Sequence, residues 1–310
     1  MADIVICEFM DEAVIDAAFV GRDVLYDPTL VDHANALHAA LADARAIIVR
    51  NRTQVRAPLL DAAPKLQVVG RLGVGLDNID MAACKARGIA VHPASGANDL
   101  AVAEYVVACA LLLLRGAYAA SDQVRGGSWP RMALIGRELS STCMGLVGFG
   151  AIARAVALRV QALGMRVVAY DPYLPSEHAA WKTVEQCSLQ QVLQQANVLS
   201  LHVPLTDETH HLIDAPALRT MQPRAIVINA ARGGVVDEPA LAAALRDGKL
   251  GGAALDVFER EPLDAASGAE FTDLHNLILT PHIAGVTEQS NVRVSEVTAQ
   301  NVLNALNALD

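Results

Sequence analysis

Gly145-Leu-Val-Gly-Phe-Gly-Ala-Ile-Ala-Arg154, followed by Arg166-Val-Val-Ala-Tyr-Asp171, decides how the rest of this chain is read. The apolar run Met144 to Val147 feeds a glycine turn at Gly148 and Gly150. A helix-like stretch from Ala151 to Leu163 then ends at Gly164. A second apolar strand, Arg166 to Tyr170, stops at an acid. Strand, tight turn, helix, strand and acid is the order in which a parallel α/β fold binds a dinucleotide. Gly148 lets the chain turn sharply, and Gly150 removes a side chain that would block a pyrophosphate. The helix N-terminus beyond offers unpaired N–H groups and the positive end of a dipole. Ala153 takes the third glycine position and is small enough for close helix–strand packing. Asp171 selects the cofactor, because a carboxylate at this strand end accepts hydrogen bonds from ribose hydroxyls and repels a 2′-phosphate. No Arg or Lys follows in Pro172-Tyr173-Leu174-Pro175, so NAD is expected rather than NADP.

The 310 residues suffice for two domains of ordinary size, and 53% hydrophobic against 19% charged residues argues for packed cores over disorder. The longest apolar stretch, Ala101 to Leu114, is broken by Glu104 and is too short to span a bilayer. Met1-Ala-Asp-Ile-Val has no basic region and reads as the start of a first strand, so a cytoplasmic protein without a membrane partner is expected. A net charge of −10 disfavours nucleic acid and anionic membrane surfaces. Cys7, Cys84, Cys109, Cys143 and Cys187 are scattered and odd in number, so they read as reduced, mostly buried residues. Neither an H-E-x-x-H motif nor clustered Cys/His spacing suggests a metal.

Short β-like runs precede the glycine turn at Ile4 to Cys7, Val24 to Tyr26, Ala46 to Val49, Leu66 to Val69 and Ile89 to Val91. Helical stretches such as Leu30 to Ala42 and Met81 to Arg87 lie between them. After the turn, strands are expected at Val167 to Tyr170, Val198 to His202, Ala225 to Ile228, Gly252 to Leu255 and Leu277 to Leu279. Asp237 is placed to cap a helix that Pro239 starts and Gly248 ends. The pattern predicts an α/β protein of two doubly wound parallel-sheet domains, the first flavodoxin-like for substrate and the second a Rossmann domain for NAD. Val294, Val297, Val302, Leu306 and Leu309 recur at helical intervals, and this last helix is expected to return to the first domain. The boundaries are therefore set at residues 1–98 plus 288–310 for substrate, and 99–287 for the cofactor.

Three polar residues each follow a predicted strand: Arg232, Glu261 and His282. The carboxyl ends of strands face the ligand in such sheets. Interconverting a 2-keto acid and a 2-hydroxy acid needs a cation for the carboxylate and carbonyl, and a proton donor for the developing alkoxide. Arg232 offers forked donors, and the His282 imidazole can give or take a proton. Glu261 can hydrogen-bond that imidazole and fix its orientation. His202 reads as a neighbour of the cofactor, and His210-His211 as a surface pair at a helix start.

The chain resembles the D-isomer-specific 2-hydroxyacid dehydrogenases, in a short phosphoglycerate-dehydrogenase-like form without a regulatory domain. The resemblance runs nearly end to end. It is carried by Gly73-Val-Gly-Leu-Asp-Asn-Ile-Asp80, Val102-Ala-Glu104, the glycine turn, His202-Val-Pro-Leu-Thr206, Asn229-Ala-Ala-Arg-Gly-Gly234, Leu255-Asp-Val-Phe-Glu-Arg-Glu-Pro262 and Pro281-His282. It implies Arg232, Glu261 and His282 as the catalytic set. It also implies NAD contacts from Val74, Ala151, Ile152, Asp171, Val203, Ala230, Asp256 and Gly285, beside Gly148 and Gly150 of the turn. For Asp256 the competing reading is a strand-end acid that only caps its turn. Main-chain N–H groups of Val74 and Gly75 would hold the substrate carboxylate. The resemblance further implies a homodimer through the apolar segment Val102 to Leu114, with Trp129 at or near the interface.

Ile47-Ile-Val-Arg-Asn-Arg-Thr53 ends a first-domain strand where the family lines its substrate site. Arg50 stands at a position usually basic in phosphoglycerate-type members, and Arg52 either adds a second cation or turns to solvent. Two cations there would suit a substrate with a second anion, such as phosphoglycerate, sulfolactate or a dicarboxylic 2-hydroxy acid, ahead of plain lactate or glycerate. The alternative function is an NAD(H)-sensing, corepressor-like binding protein with little turnover.

Overall fold

The computed structural model describes residues 2–309, which divide into two compact units. One runs to Asn98 and resumes at Val286; the other is Asp99–Gly285.

In the first unit the elements run β1 (Ile4–Ile6), α1 (Glu12–Ala18), β2 (Val24–Tyr26), α2 (Ala34–Leu41), β3 (Ala46–Val49), α3 (Ala57–Ala62), β4 (Val68–Arg71), α4 (Met81–Ala86) and β5 (Ala90–Pro93). Among the described residues the sheet is parallel, in the order β2-β1-β3-β4-β5. The chain order reverses between β1 and β3, a point where open α/β sheets bind ligands at their carboxyl ends. Helices cover both faces, so alternate residues of one strand enter different cores. Ile4 and Ile6 join Val68 and Ile48 on one face, while Val5 and Cys7 join Ile47 and Val69 on the other. The predicted helix Leu30 to Ala42 is interrupted. A tight turn, Leu30–Asp32, closes with His33 N–H on the Leu30 carbonyl, and α2 starts only after His33, which takes non-helical dihedrals.

The second unit runs α5 (Asp99–Arg115), α6 (Ser121–Arg125), β6 (Cys143–Val147), α7 (Ala151–Ala162), β7 (Arg166–Tyr170), β8 (Glu185–Gln186), α8 (Leu189–Gln195) and β9 (Val198–Leu201). It continues with α9 (Ala215–Thr220), β10 (Ala225–Asn229), α10 (Glu238–Arg246), β11 (Leu250–Leu255), α11 (Ala265–Gly268) and β12 (Leu277–Leu279). The sheet order is β12-β11-β10-β9-β6-β7-β8, parallel throughout the described residues. The reversal falls between β6 and β9, beside the glycine turn. One face packs on α5 and α7, the other on α8, α9 and α10. As read from sequence, Asp237 caps α10, its carboxylate accepting from Ala240 N–H at 2.9 Å.

The last helix, α12 (Glu288–Asn307), belongs to the first unit. Val294, Ala299, Val302 and Leu306 are buried with Ile4, Ile48 and Val68. The five cysteines are buried and unpaired. Among the described residues, no single helix is long and apolar enough to cross a membrane.

Candidate active site

The glycine turn sits between β6 and α7. Gly148 has φ 84°, and a Cβ there would lie 2.5 Å from the His202 carbonyl, so only glycine lets β6 turn this close to the end of β9. Gly150 precedes the first turn of α7, and no side chain caps that helix, so its N–H groups stay available to an anion. A Cβ on Gly150 would meet nothing within 4 Å, which leaves open space above the helix end. Ala153 is buried against the sheet. Asp171 ends β7. Its Oδ2 accepts from Phe149 N–H at 2.8 Å, and its Oδ1 from Tyr173 and Leu174 N–H at 2.9 and 3.1 Å. A carboxylate offers about four acceptor directions, so Oδ2 keeps one for a ribose hydroxyl. These residues fit a dinucleotide without a 2′-phosphate.

Arg232, Glu261 and His282 follow β10, β11 and β12, three neighbouring strands of one sheet. His282 Nδ1 lies 2.7 Å from Glu261 Oε2. An ionised carboxylate only accepts, so Nδ1 carries the proton toward it and Nε2 is left for chemistry. Burial alone would raise the Glu261 carboxyl. The hydrogen bond from His282, the His282 charge, the Phe258 N–H at 3.0 Å and the Arg232 charge outweigh that and hold it below the ordinary glutamate value.

Each member is held from behind. Buried Asn229 accepts from Ala231 N–H at 3.1 Å and donates to the Arg232 carbonyl at 2.9 Å, closing the turn that carries Arg232. At Gly233 a Cβ would fall 1.8 Å from the Phe258 carbonyl, so glycine brings the Arg232 turn against the loop leading to Glu261. His282 itself has φ 56°, a left-handed conformation unusual for a residue with a Cβ.

Asp256 enforces that conformation. It is 1% exposed, and its carboxylate accepts from the Thr280 hydroxyl at 2.6 Å, Ile283 N–H at 2.8 Å and Ala284 N–H at 2.7 Å. Its carbonyl accepts the His282 N–H at 2.8 Å. The Tyr105 hydroxyl of α5 extends the chain to Thr280 at 2.6 Å, and burial keeps that phenol protonated. Asp256 thus caps the turn that presents His282, the competing reading for a strand-end acid, with three of its roughly four acceptor directions filled, as in Asp171. Asn229 lies in one of the segments that carry the resemblance, whereas Thr280 and Tyr105 lie just outside them and carried no sequence signal of their own.

Val203 follows the end of β9, Ala230 lies in the Arg232 turn, and Gly285 follows the His282 turn; all three are half-buried. His202 Nε2 meets Ser200 Oγ at 2.9 Å, and burial pushes its imidazole down to about 4, so it stays neutral. His210 and His211 stack at 4.0 Å on a turn, not at a helix start, because His211 takes a left-handed φ of 50°. There the His211 ring meets Glu259 at 2.9 Å.

In the first unit, Val74 is exposed and Gly75 half-buried in the loop after β4. Arg50 follows β3. Its guanidinium donates to Asn291 Oδ1 of α12 at 2.7 Å and lies 5.8 Å from the Phe9 ring centre. Desolvation lowers its pKa, opposed by the charge of Glu8. Two readings are open for Arg52, second substrate cation or solvent-facing side chain, and the structure shows a surface ion pair. Both of its terminal nitrogens meet the Asp32 carboxylate at the surface, so its charge is already paired.

Residues 107–284 match the family model described as the D-isomer specific 2-hydroxyacid dehydrogenase, NAD binding domain. An (S)-sulfolactate dehydrogenase of Chromohalobacter salexigens is 54% identical over 309 residues, covering 99% of each chain. The chain belongs to the D-isomer-specific 2-hydroxyacid dehydrogenases. A D-3-phosphoglycerate dehydrogenase of Mycobacterium bovis is 42% identical over 270 residues, which is 87% of this chain but 51% of that one. The chain thus spans about half the length of such family members. A D-lactate dehydrogenase from Aquifex aeolicus, solved with NAD and lactic acid, superposes with a TM-score of 0.86 at 29% identity, covering 98% of this chain and 96% of that one. As a member of this family the chain is an NAD-dependent oxidoreductase of 2-hydroxy acids.

Proposed function

We propose that the chain interconverts a short 2-hydroxy acid bearing a second anionic group, of the sulfolactate type, with its 2-keto acid. The observation that carries the chemistry is the 2.7 Å pairing of His282 Nδ1 with Glu261, which leaves Nε2 for the substrate oxygen. The likeness to a sulfolactate dehydrogenase over nearly the whole of both chains supports the substrate class, as does the placing of Arg50 after β3.

In reduction, Arg232 binds the substrate carboxylate through its forked donors and draws charge toward the carbonyl oxygen. His282 gives its Nε2 proton to that oxygen as it becomes an alkoxide, and recovers a proton there in oxidation. Glu261 holds the ring and stabilises its charged form. By the family resemblance, Val74 and Gly75 N–H groups would hold a substrate carboxylate and Arg50 would meet a second anion. When bound, NAD accepts or supplies the hydride at C2. Gly148, Gly150, Ala151 and Ile152 would cradle its pyrophosphate, Asp171 its ribose hydroxyls, and Val203, Ala230 and Gly285 would line its site.

The finer partner reading is a homodimer. Tyr118, Val124, Trp129, Met132 and Ile135 are exposed apolar residues on the segment after α5, which a second copy would cover. A monomeric mass by light scattering at micromolar concentration would overturn it. Five buried thiols without a disulfide suit a cytoplasmic, reducing compartment.

The test of the function is NADH oxidation with pyruvate, glyoxylate, hydroxypyruvate, phosphohydroxypyruvate, sulfopyruvate and oxaloacetate. Sulfopyruvate is expected to give the highest kcat/KM. Tight NADH binding without turnover on any of them would point to the cofactor-sensing alternative.

A further inference from the structure

One buried charge in the first unit has no part in this chemistry. Glu8, which follows β1 and is 4% exposed, accepts from Arg50 N–H at 2.8 Å and Thr53 N–H at 3.0 Å on Oε1, and from Arg52 N–H at 3.2 Å on Oε2. One carboxylate thus gathers three N–H groups of the loop that carries Arg50. On the carbonyl side, the Asn78 amide, 6% exposed, donates to Arg50 O at 3.2 Å and Thr53 O at 2.7 Å. Asn78 also accepts Val55 N–H on its own carbonyl at 2.9 Å, and Asp80 N–H returns a bond to Val55 O at 2.9 Å.

The two side chains therefore join two loops. Asn78 lies in the loop after β4 that carries Val74 and Gly75. Glu8 and Asn78 together hold both polar edges of the loop after β3 that carries Arg50. Charge-assisted bonds to backbone N–H groups are short and directional, and a bonded loop loses the freedom to adjust its reach. Neither side chain is placed to touch a substrate: both are buried, and the Glu8 carboxylate and the Asn78 NH₂ are engaged with backbone.

We infer that Glu8 and Asn78 are positioning residues that fix the spacing between Arg50 and the Val74–Gly75 N–H groups, making the first unit a ruler for the length of a doubly anionic 2-keto acid. This rests on the roles proposed above for Arg50, Val74 and Gly75. An acid with one more methylene between its anions would then be rejected by the fixed loops, while an acid with a single anion would not sense them.

The test compares kcat and KM for oxaloacetate, 2-oxoglutarate and pyruvate in the parent, Glu8→Gln and Arg50→Met. The parent is expected to prefer oxaloacetate over 2-oxoglutarate. Glu8→Gln, which puts an NH₂ against backbone N–H groups, is expected to lower that preference roughly tenfold, the worth of one misaligned charge-assisted contact. The change should fall on KM for oxaloacetate, with kcat and the pyruvate constants unmoved. If Glu8→Gln does not fold, Glu8→Asp keeps the charge, shortens the reach and carries the same comparison. Equal loss on all three acids would make Glu8 a residue of fold stability only and overturn the inference. So would an unaltered preference in the Glu8 variant when Arg50→Met abolishes it. A parent with no length preference overturns it outright, and a preference unaffected by Arg50→Met overturns the role of Arg50 itself.

Discussion

Glu8 and Glu261 both follow parallel strands, one in each unit, and they are partnered in opposite ways. Glu261 meets an imidazole at 2.7 Å, and both side chains remain partly open to solvent. Glu8 is buried and meets backbone N–H groups, none of which titrates. A carboxylate that serves proton transfer needs a partner able to change charge and reach solvent. A carboxylate that serves geometry needs partners that never change.

The sharpest way to break that contrast is at the imidazole. His282→Ala should lose about 10² to 10⁴ in turnover while still binding NADH, the usual worth of a positioned acid or base. Fluorescence titration of NADH beside steady-state rates checks both halves. Glu261→Gln keeps a hydrogen bond but removes the negative charge, so keto-acid reduction should fail at a lower pH than in the parent, while oxidation should persist to lower pH. Profiles unmoved in both directions would place Glu261 with Glu8, as a purely geometric carboxylate.

Next in size is Asp171, a third strand-end acid that combines both habits, since it ties its own turn and keeps an acceptor direction outward. NADH should be preferred over NADPH by about two orders of magnitude, because a like charge against a 2′-phosphate at a partly buried site costs several kcal/mol. Equal kcat/KM with the two cofactors would remove the outward role.

A smaller effect concerns a group that must stay neutral. The unfolded His202 takes up a proton near 6.5, the folded one only near 4. Stability from this residue is thus full above 6.5 and falls as the pH drops toward 4, where the unfolded chain binds the extra proton. Urea midpoints across that window should decline less steeply in His202→Asn than in the parent. The smallest effect is expected for Arg52→Ala, whose partner Asp32 sits at the surface. Melting temperature and kinetic constants should not change, and a rise in the oxaloacetate KM would return Arg52 to the substrate.

Much of this was legible from residues alone, for a physical reason. Parallel strands buried on both faces are short apolar runs, and the glycine turn, Asp171, Arg232, Glu261 and His282 each interrupt or follow such a run. Strand ends then place them by topology, without knowledge of side-chain direction. Direction is what the sequence did not carry. Asp256 and Arg52 stand at strand ends too, but one turns inward to three donors and the other to Asp32. Strand β8 gives no sequence signal because its residues, Glu185 and Gln186, are exposed and show no apolar alternation. Helix α8 has a capping box, Ser188 with Gln191, that could have announced it.

The place of α12 bears on how the chain is made. The first unit lacks one wall of its core until Val294, Ala299, Val302 and Leu306 arrive, yet residues 99–285 must be synthesised before them. At ordinary elongation rates that is a delay of roughly ten to forty seconds. During it, the apolar face of β1, β3 and β4 is covered by Met10, Ile15 and Phe19 around α1 but not by α12. The second unit has all its strands by then and can close first, so the order of assembly runs against the order of synthesis. Shortening the last helix should accordingly leave the second unit folded and the N-terminal sheet open to proteases and to chaperones.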